Sequence, residues 1–349
     1  MLNLLLISPQ STQAQGGMTV WTDAFCKHCP ENEVECDLVN IATIGSRAVK
    51  GNSKRNFFDE FVRTKRIFKN LKEKLSSKKY SAAHVNTSCG SFGLIRDYMI
   101  VKRIRKKQPH CKCIVHFHCD VKSETKPKYK RYFLSKLLKI TDRALALNDE
   151  NKKFLARNYS VSAIEVPNFI DEKLVRKDEK QISKNIEKAL FVGFVQPRKG
   201  AREIYDLARK FPQITFDLVG EVRSDVKEWE KTDNVILHGP KGREDIIKAL
   251  DDADVFIFPT YSEGFSIALL ESMSRGLPSI ITDVGANAEM LGENGGVVVS
   301  VGDVPAMEKA LESLQDPVKR REMSAWNIQK VRSEYTAQGV MKKIAKLYL

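Results

Sequence analysis

The chain has 349 residues, of which 42% are hydrophobic and 29% charged, and its formal net charge is +14. This length exceeds the roughly 250–300 residues at which a single core stops growing, so the sequence predicts two domains. The apolar content is that of a folded globular protein and excludes a disordered chain. No apolar run approaches the roughly 18 residues that a membrane-spanning helix needs.

The positive charge is concentrated in the N-terminal half. Residues 1–170 carry 31 lysines and arginines against 15 aspartates and glutamates, whereas the remainder carries 27 against 29. This asymmetry favours contact with an anionic partner such as a membrane surface, an acidic glycan or nucleic acid. The alternative interpretation is a solvated basic surface that only confers solubility.

The cysteines and the first residues indicate the compartment. Seven cysteines in a chain of this length fit reducing surroundings. The opening MLNLLLIS is too short an apolar stretch for a secretory signal and lacks a basic segment before it. We therefore expect a cytoplasmic protein, with peripheral attachment to the inner face of the cell membrane as a further hypothesis.

Short apolar runs alternate with segments of helical periodicity along the chain. The clearest predicted strands are residues 2–7, 114–118, 144–147, 164–166, 189–192, 216–219, 235–237, 255–258, 279–282 and 297–301. Helical periodicity separates several of them, as in residues 202–211 and 305–314. Strands that alternate with helices predict parallel sheets covered on both faces, which is an α/β fold.

A charged segment with few large apolar residues, 171–188, predicts the domain boundary. We expect doubly wound domains over residues 1–170 and 171–325, followed by a helical segment, 326–349, that packs back toward the N-terminal domain. Ligands of such sheets bind at the carboxyl ends of the strands, so both domains should face a central cleft that holds the active site.

Residues 258–278, FPTYSEGFSIALLESMSRGLP, form the most informative stretch. A helix predicted to begin near Ser266 gives Ser266 and Ile267 backbone N–H groups at its positive end, where a phosphate group binds. Glu263 precedes this helix and Glu271 lies in its second turn, so their carboxylates can accept hydrogen bonds from hydroxyls at opposite ends of one ligand. On this spacing alone, two surface glutamates around an ordinary helix remain the alternative.

A second loop, GFVQPRKG at residues 193–200, also follows a buried strand. Arg198 and Lys199 precede Gly200 and a predicted helix. Cations at a helix N-terminus oppose its dipole, so an anionic ligand explains them better than helix stability does. The two loops together predict a site for a diphosphate.

With these motifs, residues 160–349 resemble the retaining glycosyltransferases of family 4, which have the GT-B fold of two Rossmann-like domains. The matching features are EGFSIALLE, the GLP turn at 276–278, DVGANAE at 283–289, Gly220, Gly239 and Asn168. The resemblance implies a donor site made of Gly193, Arg198, Lys199, Gly220, Ser266, Ile267 and Glu271. In it, Lys199 and Arg198 neutralise the donor diphosphate, and Glu271 binds the ribose hydroxyls.

The resemblance also implies catalytic roles for Lys199, Glu263 and His118. Glu263 holds the hydroxyls of the transferred sugar, and His118, in VHFHCD, faces that sugar. Gly16 and Gly17 match a glycine pair that lets phosphate or acceptor approach the backbone. We expect His116 to point to the opposite face of its strand and to be a core residue.

The sequence departs from the family pattern in the two donor loops. An arginine commonly follows the glycine at position 193, and here that residue is Phe194. Ser266 stands where glycine is frequent. The resemblance therefore supports the role of Lys199 more strongly than the role of Arg198.

The implied activity is transfer of a sugar, with retention of configuration, from a nucleotide-diphosphate sugar to a hydroxyl of a glycan or lipid-linked acceptor. UDP is the expected carrier, and lipopolysaccharide or capsule synthesis is the expected context. No metal or other cofactor and no nucleic-acid partner are expected. A nucleotide-sugar epimerase of the same fold stays open as an alternative, as does a nucleic-acid-binding protein suggested only by the basic half.

Three further signals have competing interpretations. The segment 251–254, DDAD, resembles a metal motif of another transferase class, but its place at a helix end before a buried strand favours a solvated helix end. Cys26, Cys29 and Cys36 lack the second CxxC of a zinc site. Residues 63–79 form a basic helix whose stripe of Ile67, Phe68, Leu71 and Leu75 either packs in the domain or docks on an anionic bilayer.

Overall fold

The computed structural model describes residues 1–10, 17–42, 57–223, 226 and 232–349. It divides into two compact units, one of Met1–Asn168 with Ala337–Leu349 and the other of Phe169–Thr336. Each unit contains a six-stranded sheet, and every strand pair is parallel. The prediction of two parallel-sheet α/β domains is confirmed.

The sheet of the first unit has the strand order β2-β1-β3-β4-β5-β6. Its strands are β1 (Leu2–Ser8), β2 (Val34–Asn40), β3 (Ala82–Thr87), β4 (Lys112–Phe117), β5 (Arg143–Ala146) and β6 (Ile164–Glu165). Its helices include α1 (Gly17–His28), α2 (Phe57–Ser77), α3 (Gly93–Lys107), α4 (Val121–Glu124), α5 (Lys128–Leu138) and α6 (Asp149–Tyr159). The central strands are buried on both faces, as the helical layers of a parallel sheet require.

The apolar stripe of α2 belongs to the core of the first unit. Ile67, Leu71 and Leu75 are buried there, and Phe68 packs against the same cluster. The stripe is therefore not available to enter a bilayer, and the interpretation of α2 as a domain helix with a basic outer face is the one that the packing supports. The exposed residues of α2 include Phe61 and Val62, which lie before the stripe.

The sheet of the second unit has the order β12-β11-β10-β7-β8-β9. Its strands are β7 (Lys188–Val192), β8 (Thr215–Val219), β9 (Val235–Gly239), β10 (Val255–Phe258), β11 (Ser279–Thr282) and β12 (Gly296–Val299). Its helices include α7 (Ala201–Lys210), α8 (Arg243–Asp252), α9 (Ile267–Ser274), α10 (Asn287–Leu291), α11 (Val304–Ser313) and α12 (Pro317–Glu334). The order reverses between β7 and β10, so the loops after these two strands flank the topological switch point.

The unit boundaries differ from the expected domain limits of 170/171 and 325/326. The chain enters the second unit at Phe169 and leaves it after Thr336. The later boundary lies eleven residues further along because α12 continues to Glu334 and packs against α9. The last helix, α13 (Ala337–Tyr348), belongs to the first unit, where it packs against α1.

Candidate functional site

Two glycines set the geometry of the strand ends beside the switch point. Gly220, directly after β8, has φ +149°, and a Cβ there would lie 1.9 Å from the carbonyl oxygen of Gly193. Gly200, before α7, has φ +79°, and a Cβ there would lie 2.2 Å from the carbonyl oxygen of Pro259. Only glycine fits such contacts, so these positions hold the loops after β7, β8 and β10 against one another.

Backbone hydrogen bonds tie the same loops together. The amide of Tyr261 donates to the carbonyl of Arg198 at 3.0 Å, and the amide of Ala286 donates to the carbonyl of Gly264 at 3.0 Å. The segments after β7, β10 and β11 are thus fixed as one edge of the second unit.

Lys199 and Glu263 meet at this edge. Lys199 Nζ forms an ion pair with Glu263 Oε1, and their side chains are 15% and 14% exposed. Thr260 Oγ1 donates to the same carboxylate oxygen at 3.3 Å, and the ammonium group lies 5.6 Å from the ring centre of Phe258. The predicted convergence of a cationic loop and an acidic loop is therefore present in the contact between these two residues.

Arg198 and Phe194 occupy the outer part of the loop after β7. Both are exposed, Arg198 within the 3-10 turn Pro197–Lys199. The guanidinium of Arg223 lies 4.4 Å from the centre of the Phe194 ring, and Arg223 Nη1 is 3.1 Å from Glu221 Oε1. A guanidinium thus lies over the position where the family pattern leads one to expect an arginine.

Sequence reasoning missed Arg223. The available signal was its place three residues after Gly220, beyond the end of a strand adjacent to β7. The structure fixes that place through a parallel bridge between Val195 and Val222 and through the amide of Arg223, which donates to the carbonyl of Val195 at 3.1 Å.

Ser266 and Ile267 begin α9 as the sequence predicted. Ser266 is the N-cap residue, and its buried hydroxyl accepts a hydrogen bond from the amide of Leu269 at 3.1 Å. This cap satisfies one first-turn amide, while the geometry of a helix start gives the preceding amides no partner within the helix. The positive end of the α9 dipole is therefore directed to the loop that carries Glu263.

Glu271 has a different partner from the Lys199–Glu263 pair. Its Oε1 is 3.6 Å from Arg243 Nη2, at the start of α8. Burial raises the pKa of the Glu271 carboxyl, and the charge of Arg243 opposes this rise. A cavity of about 10 Å³ beside Glu271 is lined by Arg243 and not by Lys199 or Glu263. The two glutamates thus flank the start of α9 and have separate partners.

In the first unit, His118 directly follows β4 and lies within an aromatic cluster. Its Nε2 is 3.1 Å from Asn86 Oδ1, and its ring centre is 5.0 Å from that of Trp21. Burial, with His84 and His116 nearby, lowers the pKa of His118 well below its ordinary value. His118 is therefore a neutral, half-buried histidine that is held by neighbouring side chains.

The expected direction of His116 is wrong, although its expected core position is confirmed. Its ring centre lies 4.1 Å from that of His118, because residues two apart in a strand share a face. His116 is fully buried, and burial lowers its pKa to about 3. His84 on β3 joins the cluster, and its Nδ1 is 2.6 Å from the hydroxyl of Tyr348 in α13.

The glycine pair after β1 is described only in part. Gly17 is the first residue of α1, whereas Gly16 lies outside the described residues. Gly17 thus lies beyond the carboxyl end of β1, and His118 lies beyond the carboxyl end of β4 in the same parallel sheet. Its predicted role with phosphate or acceptor stays a prediction.

The DDAD segment serves packing in place of the expected solvated helix end. Asp251 accepts hydrogen bonds from Arg275 at 2.7 and 2.8 Å and from Arg176 at 2.9 Å. Asp254 accepts hydrogen bonds from the amides of Glu187 and Lys188 at 2.8 and 2.9 Å. These carboxylates hold the start of β7 and the end of α9, so they are committed to the protein itself.

Similarity to known proteins identifies the family. The family model of group 1 glycosyl transferases matches residues 173–330. This part of the chain is a glycosyltransferase group 1 domain. The prediction of a glycosyltransferase is confirmed, and the resemblance to family 4 is consistent with it.

Whole-chain similarities extend beyond the group 1 domain. The chain is 26% identical over 306 residues to the UDP-Gal:alpha-D-GlcNAc-diphosphoundecaprenol alpha-1,3-galactosyltransferase of Escherichia coli, which covers 79% of this chain and 76% of that protein. Sucrose-phosphate synthase from Thermosynechococcus elongatus superposes with a TM-score of 0.82 at 17% identity, over 100% of this chain and 98% of that one. HepE from Anabaena, in complex with UDP and glucose, gives 0.76 at 15% identity over 99% of both chains.

These structures confirm the predicted GT-B fold class. Within the described ranges, none of the helices is long and apolar enough to cross a membrane. The chain is thus a GT-B glycosyltransferase whose group 1 domain carries the Lys199–Glu263 contact.

Proposed function

We propose that this glycosyltransferase moves a sugar from a nucleotide-diphosphate sugar to a hydroxyl of a glycan or lipid-linked acceptor in the synthesis of cell-envelope polysaccharide, with retention of configuration. UDP is the proposed carrier. The observation that carries the proposal is the contact of Lys199 with Glu263 beside the first turn of α9. The galactosyltransferase of Escherichia coli, whose name specifies a UDP-sugar and a diphosphate-linked lipid, supports both substrate classes.

The charges of the site suit a diphosphate leaving group. Lys199 brings an ammonium group, and the start of α9 adds unpaired amides at the positive end of its dipole. Arg198 is exposed beside them, and the guanidinium of Arg223 lies over Phe194 on the same edge. We propose that these groups stabilise the charge that develops on the diphosphate as the sugar departs.

We propose that Lys199 and Glu263 exchange each other for groups of the donor when the donor binds. Without a ligand each group neutralises the other. A donor diphosphate would attract the ammonium, and the carboxylate would then accept hydrogen bonds from hydroxyls of the transferred sugar. Diphosphate and sugar recognition would thereby be coupled through one contact, without a covalent intermediate, and the acceptor hydroxyl would attack from the face that the diphosphate leaves.

Glu271 has a different proposed role because it has a different partner. Arg243 lies 3.6 Å away and favours the ionised carboxylate, against the effect of burial. An ionised Glu271 would accept hydrogen bonds from the ribose hydroxyls, as the family pattern implies. His118 is proposed to meet the transferred sugar as a neutral imidazole, in keeping with its lowered pKa.

We extend the proposal to the metal requirement, the compartment and the membrane surface. Turnover is proposed to need no divalent metal, since protein cations and helix amides would neutralise the diphosphate. The protein would work in the cytoplasm, at the inner face of the cell membrane if its acceptor is lipid-linked. The basic residues of the first unit would favour an anionic membrane surface.

Replacing Lys199 tests the proposal directly. We expect Lys199→Ala to lower kcat for sugar transfer about 100-fold or more, since one stabilising group for a developing negative charge contributes that much. Lys210→Ala, which removes an exposed lysine from α7, is the matched control and should leave kcat unchanged. Thermal unfolding of both variants checks the fold. Near-normal transfer by a folded Lys199→Ala would overturn the assignment.

The carrier and the metal are tested with the same enzyme. A panel of nucleotides should raise the melting temperature most for the true carrier, because binding to the native state adds to stability. UDP should lead this panel, and turnover should survive excess EDTA. A larger shift with another nucleotide, or loss of turnover in EDTA, would overturn that part of the proposal.

A further inference from the structure

The first unit contains a cavity that the proposed donor chemistry does not use. Its volume is about 530 Å³, and it lies between α4, α5 and α6. Three cations line it, namely Lys122, Lys126 and Arg131, with Phe154 and Tyr159 on the α6 side. None of its lining residues is acidic.

Some lysines near this cavity pair with acidic residues, whereas the three cations that line it do not. On α6, Lys152 and Lys153 pair with Asp149, and Lys152 also pairs with Glu165. Among the described residues, no carboxylate lies within 4.0 Å of the charged groups of the three lining cations.

Glu124, two residues from both Lys122 and Lys126 in the chain, already pairs with another lysine. Glu124 ends α4 and receives the ammonium of the buried Lys130, which donates to its carbonyl at 2.8 Å and to its Oε2 at 3.3 Å. Lys122, Lys126 and Arg131 are exposed, and three like charges around one hollow create a positive potential that attracts an anion.

The walls of the cavity are fixed. Asn151 on α6 accepts a hydrogen bond from the amide of Val121 at 2.9 Å and donates to the carbonyl of Cys119 at 2.8 Å, which ties α6 to the start of α4. Thr125 lines the cavity and donates from its hydroxyl to the carbonyl of Val121. Burial raises the pKa of the Tyr159 phenol, and the positive charge of Arg131 opposes this rise. The Arg131 guanidinium and the Tyr159 phenol therefore interact electrostatically.

We propose that this cavity binds the diphosphate group of the acceptor, with Lys122, Lys126 and Arg131 as its ligands. The inference rests on the proposed transfer to a lipid-linked acceptor and assigns that acceptor's anionic group to the first unit. Charge-assisted bonds from two ammonium groups and a guanidinium match the several oxygens of a diphosphate. The aromatic wall of Phe154 and Tyr159 suits the less polar part of the molecule next to it. Lys122 follows His118 by four residues in the chain.

Binding of inorganic pyrophosphate tests the cavity independently of activity. The parent protein carries Arg198→Ala and Lys199→Ala, so that the proposed donor loop does not contribute. Adding Lys122→Ala, Lys126→Ala and Arg131→Ala should weaken pyrophosphate binding in calorimetry at least about tenfold. The matched control adds Lys136→Ala, Lys139→Ala and Lys153→Ala, three exposed lysines from the same region that do not line the cavity. This control should bind as the parent does.

Two outcomes of that titration overturn the proposal. An equal loss in both triple variants would mean that only the overall charge attracts the anion. Unchanged binding in the cavity triple variant would mean that the cations are not ligands. Because no sugar transfer is measured, failure of the proposed function would leave this result intact.

Kinetics and vesicles separate the acceptor diphosphate from a lipid headgroup. With Arg198 and Lys199 restored, the cavity triple variant should raise KM for a diphosphate-linked acceptor at least about tenfold and leave KM for the donor unchanged. Vesicles of phosphatidylcholine with and without phosphatidylglycerol should bind the cavity triple variant and the control triple variant equally. A selective loss of binding to the anionic vesicles, with KM unchanged, would assign the cations to the membrane surface and overturn the proposal.

Discussion

The two units place different electrostatics on similar parallel sheets. In the second unit, charged side chains at the strand ends pair with each other, as Lys199 does with Glu263 and Arg243 does with Glu271. In the first unit, the neutral His118 directly follows β4, and three cations beyond it line a cavity that has no acidic lining residue. The residues of the first unit are also those that hold most of the positive charge of the chain.

The fold determines where the loops converge, and the loop sequences determine which charges they carry. A parallel sheet gives both units an edge where loops converge, because all strands end on the same side. The charges on those loops are free to differ. Paired charges suit a ligand that carries both phosphate and hydroxyl groups, whereas unpaired cations suit an anionic group that must be held in place.

The largest effect should come from the glycine that joins the loops of the second unit. Gly220→Ala places a Cβ 1.9 Å from the carbonyl oxygen of Gly193, so backbone must shift. We expect the free energy of unfolding to fall by about 3 kcal/mol, from steric strain together with the positive φ. Chemical denaturation measures this loss.

The matched control for Gly220 lies at the end of the adjacent strand. Gly239 also has a positive φ, +68°, but a Cβ there would meet nothing within 4 Å. Gly239→Ala should therefore lose only the roughly 1–2 kcal/mol of the left-handed conformation. An equal loss in the two variants would show that the loops of the second unit are not packed as closely as described.

A smaller effect should follow from removing one charge of the Lys199–Glu263 pair. Glu263→Gln keeps the size of the side chain and releases Lys199 for the donor diphosphate. We expect kcat to fall about 30-fold, because the charged acceptor for sugar hydroxyls is lost, while KM for the donor stays equal or decreases. Glu312→Gln, at an exposed position of α11, is the control. A raised KM with unchanged kcat would contradict the coupling of the pair.

The sequence predicted those parts of the molecule that depend on local patterns. The buried runs 189–192 and 255–258 became β7 and β10 nearly to the residue, and Ser266 caps α9 as its hydroxyl chemistry predicts. The contact of Lys199 with Glu263 could be predicted because their loops follow strands that a doubly wound sheet brings together. The roles of these residues stay predictions.

Strands and contacts that depend on distant residues could not be predicted. β3 escaped the apolar pattern because it buries His84 and Asn86, whose partners come from α13 and from β1 and β4. Arg223 has no motif of its own, and only the bridge from β8 to the loop after β7 brings it over Phe194. The cavity of the first unit likewise needs three helices to be packed before its cations share a space.

Arg223 gives a still smaller and sharper test of the second unit. We infer that its guanidinium adds to the positive charge of Arg198 and Lys199 at the donor site. Arg223→Ala should therefore lower kcat/KM for the donor about tenfold, which is close to the contribution of one charge-assisted hydrogen bond. Arg209→Ala removes an exposed arginine of α7 that pairs with Asp206, and it should have no effect. Phe194→Leu, which keeps an apolar residue but removes the aromatic ring, should reproduce part of the loss. Full activity in Arg223→Ala would leave Lys199 and Arg198 as the cationic side chains of the proposed donor site.

The smallest effect concerns the neutral histidines of the first unit. The pKa values of His84, His116 and His118 are lowered by burial, so the unfolded chain binds protons more readily than the folded chain below about pH 6.5. This loss of stability begins as the pH falls through the range around the ordinary histidine pKa of about 6.5 and continues toward the folded pKa, about 3 for His116. Between pH 7.5 and 6.5 we expect the free energy of unfolding to fall by about 1 kcal/mol for the three together.

Single substitutions resolve this pH effect by unit. His118→Asn should reduce the pH-dependent loss by about a third, since each buried histidine contributes a similar proton uptake on unfolding. His110→Gln, at an exposed position after α3, should leave it unchanged. Denaturation followed at pH 7.5 and 6.5 measures both. A loss that His118→Asn does not alter would mean that this imidazole takes up protons as readily in the folded protein as in the unfolded chain, and the strand end of the first unit would then gain positive charge as the pH falls.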